Sequence, residues 1–159
     1  MDDIYSARIL KHAGNVTRVG VLDNAKASAS AHSKLCGSRL TVHLDLEDGR
    51  VSDFSHELKA CALGQASSAI MAEAIIGATA AEIRDAREKM RAMLKDGGDG
   101  PDGRFSEMRC LLPVKDYPAR HGSVMLTFEA TLKALDQLEE REAPEAAERR
   151  PEAVERRNV

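Results

Sequence analysis

The chain has 159 residues, 43% of them hydrophobic, a formal net charge of −3, no tryptophan and three cysteines. That is enough to bury one real core, and without any Lys/Arg cluster interleaved with aromatics it offers no electrostatic footprint for nucleic acid or an anionic membrane. The acidic start MDDIYSARIL is unlike a secretory signal, no apolar run approaches the roughly 18 residues of a membrane span, and Cys36, Cys61 and Cys110 are an odd, dispersed set that fits reduced thiols, so a cytoplasmic protein is expected.

In chain order, DDIYSARILKHAG places Ile4, Ala7 and Leu10 at helical spacing with Gly14 at the stop position, which predicts a short N-terminal helix. AKASASAHS (25 to 33) alternates and reads as a weak strand. Stronger is RLTVHLDLEDGRVSDFSHEL, where Leu40, Val42, Leu44 and Leu46 alternate with polar residues before Asp48-Gly49 turns the chain into a hairpin. CALGQASSAIMAEAIIG then sets Leu63, Ala66, Ile70 and Ala74 on one stripe and stops at Gly77; its small side chains predict close packing on the sheet.

TAAE (79 to 82) is a capping box that opens a further helix carrying Ile83, Met90 and Leu94. The loop DGGDGPDG that follows lacks the Lys-Ser/Thr of a phosphate cradle and reads as a mobile connection. A short segment around MRCLLPV leads to SVMLTFEATLKALDQL, whose Val124, Phe128, Leu132 and Leu135 predict another amphipathic helix. From Glu139 the chain is Glu, Arg, Ala and Pro with little to bury, so residues 1–138 form the expected domain and 139–159 a charged, disordered tail. The fold class is α+β: a small antiparallel β-sheet with helices packed on one face.

The chemistry-bearing residues are few. Cys36 precedes a strand, and Cys61 stands at a helix start, where the first N–H groups and the helix dipole favour a thiolate. Two soft thiolates brought together would suit zinc or an iron–sulfur unit; the alternative is that both are packed core cysteines. There is no CxxC and no histidine cluster. His43 and His56 read as ordinary sheet positions, while no Ser-His-Asp or Cys-His arrangement follows from local spacing.

Taken together, CGSRLTVHLDLEDGRVSDFSHELKACALGQASSAIMAEAIIG (36 to 77) and VKDYPARHGSVMLTFEATLKAL (114 to 135) resemble the iron–sulfur cluster assembly scaffolds of the IscU, SufU and NifU N-terminal type. CALGQAS and the long spacer LKDGGDGPDGRFSEMRCLL resemble the SufU branch in particular, IYSARILKHAG resembles the leading helix, and the fold implied is SufE/IscU-like. The resemblance covers roughly residues 4–138.

The family's ligands are three cysteines and an aspartate, with a histidine beside the third cysteine in the IscU branch. Cys36 matches the first cysteine and Cys61 the second, but Ser38 stands in the aspartate's place and Ser123 in the third cysteine's, with His121 two residues before it. Serine hydroxyls stay protonated near neutral pH and are poor ligands for soft or borderline metals. The resemblance therefore implies a reduced metal site of Cys36, Cys61 and His121, with a fourth position open to Cys110, His32, solvent or a partner's ligand.

It also implies persulfide acceptance at Cys36 or Cys61, a cysteine desulfurase and apo iron–sulfur client proteins as partners, and a transient iron or [2Fe–2S] cargo on a scaffold rather than an enzyme. LLPVK (111 to 115) resembles the stretch by which an Hsp70 chaperone recognises IscU-type scaffolds. Two other readings stand beside it. One is a zinc-dependent sulfur-transfer protein of the SufU kind; the other is a metal-free member of the fold that only binds partners.

Overall fold

The computed structural model describes the backbone of residues 5–35 and 37–149, and side chains up to residue 140. In chain order the elements are α1 (Ala7–Ala13), β1 (Ala27–His32), β2 (Arg39–Glu47), β3 (Arg50–Lys59), α2 (Ala62–Ala74), α3 (Ala80–Lys95), a 3-10 segment (Gly103–Asp116) and α4 (Pro118–Arg149). The strands form one antiparallel sheet in the order β1-β2-β3, and the expected α+β architecture with helices against a small sheet is what the chain adopts.

The hairpin is set by its turn. Asp48 and Gly49 both lie at positive φ, 55° and 77°, the pair of left-handed residues that a two-residue turn matched to strand twist requires. They pair Glu47 with Arg50, and a register irregularity at Asp45/Leu46 separates that end from the regular ladder. Alternation then sends Leu40, Val42 and Leu44 inward with Ala27, Ala29 and Ala31 of β1 and Phe54 of β3. The weak strand signal of β1 is realised because its alanines leave room for a helix to lie close above them.

That helix is α4, which packs on β1 and β2, whereas α2 packs chiefly against α1 and α4. The small residues of α2 thus serve helix–helix approach rather than the sheet contact expected from sequence. A Cβ built on Gly64 would lie 3.3 Å from the Ser123 carbonyl oxygen of α4, and the Ser67 hydroxyl donates to the Val124 carbonyl at 2.6 Å. Both faces of α2 are covered, from Leu63 through Ala72 with Gln65 alone half-exposed.

The capping box of α3 is present in full: the Thr79 hydroxyl accepts from the Glu82 amide at 3.1 Å, and the Glu82 carboxylate accepts from the Thr79 amide at 3.0 Å. The glycine-rich connection is better anchored than its composition predicts. Gly100 and Pro101 are buried, Arg109 Nε donates to the Pro101 carbonyl at 2.7 Å and Lys89 meets Asp102 at 3.0 Å.

The first helix buries Ile9 and exposes Leu10, so its apolar face is one residue off the sequence expectation. Helix α4 starts earlier than expected, at Pro118, a residue suited to the first helical position. It passes Leu138, the last buried side chain among the described residues, and its backbone continues to Arg149 through the first part of the stretch read as a tail. Residues 150–159 lie outside the described residues.

Candidate functional site

Cys61 is the N-cap residue of α2, in extended conformation (φ −68°, ψ 171°), and its side chain makes no capping hydrogen bond. Its carbonyl accepts from the Gln65 amide at 2.9 Å, the first bond of the helix. The half-buried thiol packs against the edge of the core. A serine or aspartate here would satisfy an orphan amide of the first turn. The chain carries a thiol instead, at the one N-cap of its two long central helices where local helix chemistry is not served.

Ser38 reaches the same place from the β1–β2 connection: the Cys61 amide donates to its hydroxyl at 3.4 Å. The connection is closed by the Ser33 amide donating to the Ser38 carbonyl at 2.8 Å and the Gly37 amide donating to the Ser33 carbonyl at 2.9 Å, with Gly37 at φ 72°. Cys36 lies outside the described residues, but both flanks of its loop are placed. One flank, Ser38, touches Cys61; on the other, a Cβ built on Gly122 would come 3.0 Å from Ser33 Oγ. Ser38 and Ser123 are 2% and 1% exposed, so the two serines at ligand-like positions are packed among helix and loop backbone.

His121 stands in the first turn of α4 and is 7% exposed. Its Nε2–H donates to the carbonyls of Val114 and Lys115, each at 3.1 Å, which leaves Nδ1 as the lone-pair nitrogen, buried with no hydrogen-bond partner. A histidine with one nitrogen tied to backbone carbonyl and the other bare has the ring orientation and tautomer of a metal ligand. Among the described residues, however, no set of three His, Cys, Asp or Glu ligand atoms within 4.8 Å of one another includes Cys61 or His121. Cys61 and the bare imidazole nitrogen of His121 are donors of the kind a borderline metal accepts and the two serine hydroxyls are not, so a labile metal in this region would need Cys36 as well.

Of the other residues singled out from sequence, His32 ends β1, exposed, on the wall of an open depression of about 430 Å³ beside the same loop. Cys110 is drawn elsewhere, to His12 and Glu107. His56 is buried with Nε2 donating to the Thr17 carbonyl at 2.8 Å, and burial pushes its pKa below the ordinary value.

His43 is less ordinary than sequence suggests: Ser28 Oγ lies 2.7 Å from its Nδ1 and Glu57 Oε1 lies 2.9 Å from its Nε2. This hydroxyl–imidazole–carboxylate row crosses all three strands, with Ser28 on β1, His43 on β2 and Glu57 on β3.

The three-stranded sheet, the helices over it and a cysteine at the head of a small-residue helix define a class, and the family comparison agrees: residues 4–122 match the model of the NifU-like N terminal domain, and the chain belongs to that family. It is 31% identical over 135 residues to the iron-sulfur cluster assembly scaffold protein IscU of Thermotoga maritima, covering 85% of this chain and 94% of the relative. It is 26% identical over 136 residues to the zinc-dependent sulfurtransferase SufU of Bacillus subtilis, covering 85% and 91%.

Among solved structures, a NifU-like N-terminal protein from Brucella abortus superposes with a TM-score of 0.87 at 56% identity, over 88% of this chain and 97% of that one. The SufU-type scaffold of Fervidobacterium islandicum follows at a TM-score of 0.77 and 26% identity, over 83% and 96%. No helix among the described residues is long and apolar enough to cross a membrane.

Proposed function

We propose that this chain is an iron–sulfur cluster assembly scaffold that accepts sulfur at Cys61 and Cys36 and transiently holds iron or a [2Fe–2S] unit, with His121 as a further ligand. The observation that carries the reading is Cys61, a half-buried thiol at the N-cap of α2, hydrogen-bonded through its amide to the loop that bears Cys36. Family membership and the scaffold names of relatives aligned over most of the chain support it.

In the sulfur step, the thiolate of an acceptor cysteine attacks the outer sulfur of a desulfurase persulfide. The donor's S–S bond breaks, the desulfurase cysteine leaves as thiolate, and the acceptor becomes a persulfide with no net oxidation. The partners are then a cysteine desulfurase and apo iron–sulfur client proteins. An Hsp70 chaperone reading LLPVK would need that segment opened first, because Leu111 and Val114 are fully buried in the 3-10 segment.

The second reading is zinc-dependent sulfur transfer. It is favoured by the unpartnered Nδ1 of His121, by serine in place of two further ligands and by the SufU relative. One experiment separates the two: anaerobic purification without a metal-affinity tag, with zinc, iron and acid-labile sulfide measured per chain in wild type, Cys36→Ala and Cys61→Ala. Iron with sulfide that disappears in both variants is the expected result. Zinc alone, with a rise in desulfurase turnover, selects the transfer reading; no metal after reconstitution and no persulfide on either cysteine overturns both in favour of a metal-free, partner-binding member of the fold.

A further inference from the structure

A second cluster of ligand-type side chains lies where α1 meets the 3-10 segment. His12, Glu107 and Cys110 each offer an atom within 4.8 Å of the other two, and all three are half-buried. Nothing in the sequence announces the group, since His12 is 95 residues from Glu107. The fold assembles it by laying the last turn of α1 on the 3-10 segment.

We infer that His12, Glu107 and Cys110 form a binding site for a borderline divalent cation of the zinc type, distinct from the Cys61 region. The donor set is nitrogen, oxygen and sulfur from one residue each, which is the chemistry Zn²⁺ accepts, and three protein ligands leave the fourth tetrahedral position to solvent. Around Zn²⁺, with bonds of about 2.0–2.3 Å, ligand atoms stand about 3.3–3.8 Å apart, so side-chain rotations of a few tenths of an ångström to an ångström suffice.

His12 Nε2 and Glu107 Oε2 are already 2.8 Å apart, and the cation takes the place of the hydrogen between them and of the Cys110 thiol proton. Arg8 does not obstruct this. Its Nη2 donates to Oε1, the far carboxylate oxygen, and its Nε to Oε2 at 2.7 Å, so that with the metal bound it holds the ligating carboxylate from behind. The charges also close: a dication, a thiolate and a carboxylate sum to zero, with Arg8 left as a surplus charge at an exposed position.

The chain has three cysteines, which makes the test simple. The full chain carrying Cys36→Ser and Cys61→Ser keeps Cys110 as its last thiol, so any thiolate-to-cobalt charge-transfer band on anaerobic Co²⁺ titration reports Cys110. The expected result is a band saturating at one Co²⁺ per chain, reversed by Zn²⁺, together with a Zn²⁺-dependent rise in melting temperature. Adding His12→Gln or Glu107→Gln should weaken the band at least tenfold while circular dichroism shows the fold retained. Absence of the band in the double variant, or a band equally strong with His12→Gln and Glu107→Gln, overturns the proposal. Because the double variant lacks both proposed sulfur acceptors, either outcome leaves the scaffold reading to its own test.

Discussion

Cys61, the proposed sulfur acceptor, stands where its helix would be better served by another residue. It holds an N-cap position without capping, and Ser/Asp-type caps are worth about 1 kcal/mol. Cys61→Ser is therefore expected to remove the persulfide at that position while leaving the one at Cys36, read by peptide mass spectrometry after incubation with a desulfurase, with the melting temperature unchanged or higher.

Glu107 is the clearest electrostatic residue. The Arg8 hydrogen bond, then that of His12, hold its carboxyl down from an ordinary 4.5 to about 2. A carboxylate whose pKa is lower in the folded state than in the unfolded one stabilises the fold above pH 4.5 and loses that contribution as pH falls from there to about 2. Glu107→Gln should flatten the acid side of the stability profile in that window, measured by denaturant melts; a profile parallel to wild type would show that the pair does not survive in solution. Cys110 is the converse case: burial, with the charge of Glu107 beside it, pushes the thiol up to about 11, so without a cation it stays protonated and unreactive at neutral pH.

At the scale of elements, the β2–β3 hairpin and α3 follow local rules. The Asp48-Gly49 turn and the Thr79/Glu82 capping box are satisfied by residues adjacent in sequence, which is why both were legible before the structure. Helix α2 is different, because its composition announces close packing but not the partner. At Gly64 the partners are the backbone of α4, with Ser123 O 3.3 Å from a built Cβ, and the Ala60 Cβ just before α2, at 3.0 Å. Replacing Gly64 by alanine gains about 1 kcal/mol of helix propensity against about 1–3 kcal/mol of overpacking. Backbone cannot swing aside as a side-chain end can, so Gly64→Ala is expected to lower stability by about 1 kcal/mol in urea melts and to weaken metal retention by shifting Cys61 relative to Ser38. A stability gain would mean that the α2–α4 contact relaxes freely.

For the whole molecule, α4 is the element that joins the sheet to the other helices. Phe128, fully buried on α4, stacks at a tilt on Phe105 of the 3-10 segment, with ring centroids 6.3 Å apart. In a chain with three phenylalanines and no tryptophan, few other side chains fill comparable volume. Phe128→Ala should cost about 3–5 kcal/mol, enough to unfold much of the population at physiological temperature, and a loss below 1 kcal/mol in chemical denaturation would contradict a single shared core. The same packing holds the start of α4, where Gly122 lies beside Ser33, the Ser123 carbonyl faces Gly64 and His121 is tied to the Val114 carbonyl.

Periodicity, turn residues and capping pairs act over a few residues. The sequence alone therefore determined the strands, the hairpin, the order of the helices and the candidacy of Cys61 at a helix start. Its motifs also carried the family resemblance that the comparisons bear out. Tertiary structure decided what depends on contacts across tens of residues. It set α4 rather than α2 on the sheet, pinned the glycine-rich connection through Arg109 and Lys89, left Nδ1 of His121 bare by turning Nε2 to two carbonyls, and brought Cys110 to His12 and Glu107. Those juxtapositions have no local signature, because the free energy that fixes them comes from burying side chains of distant segments against one another.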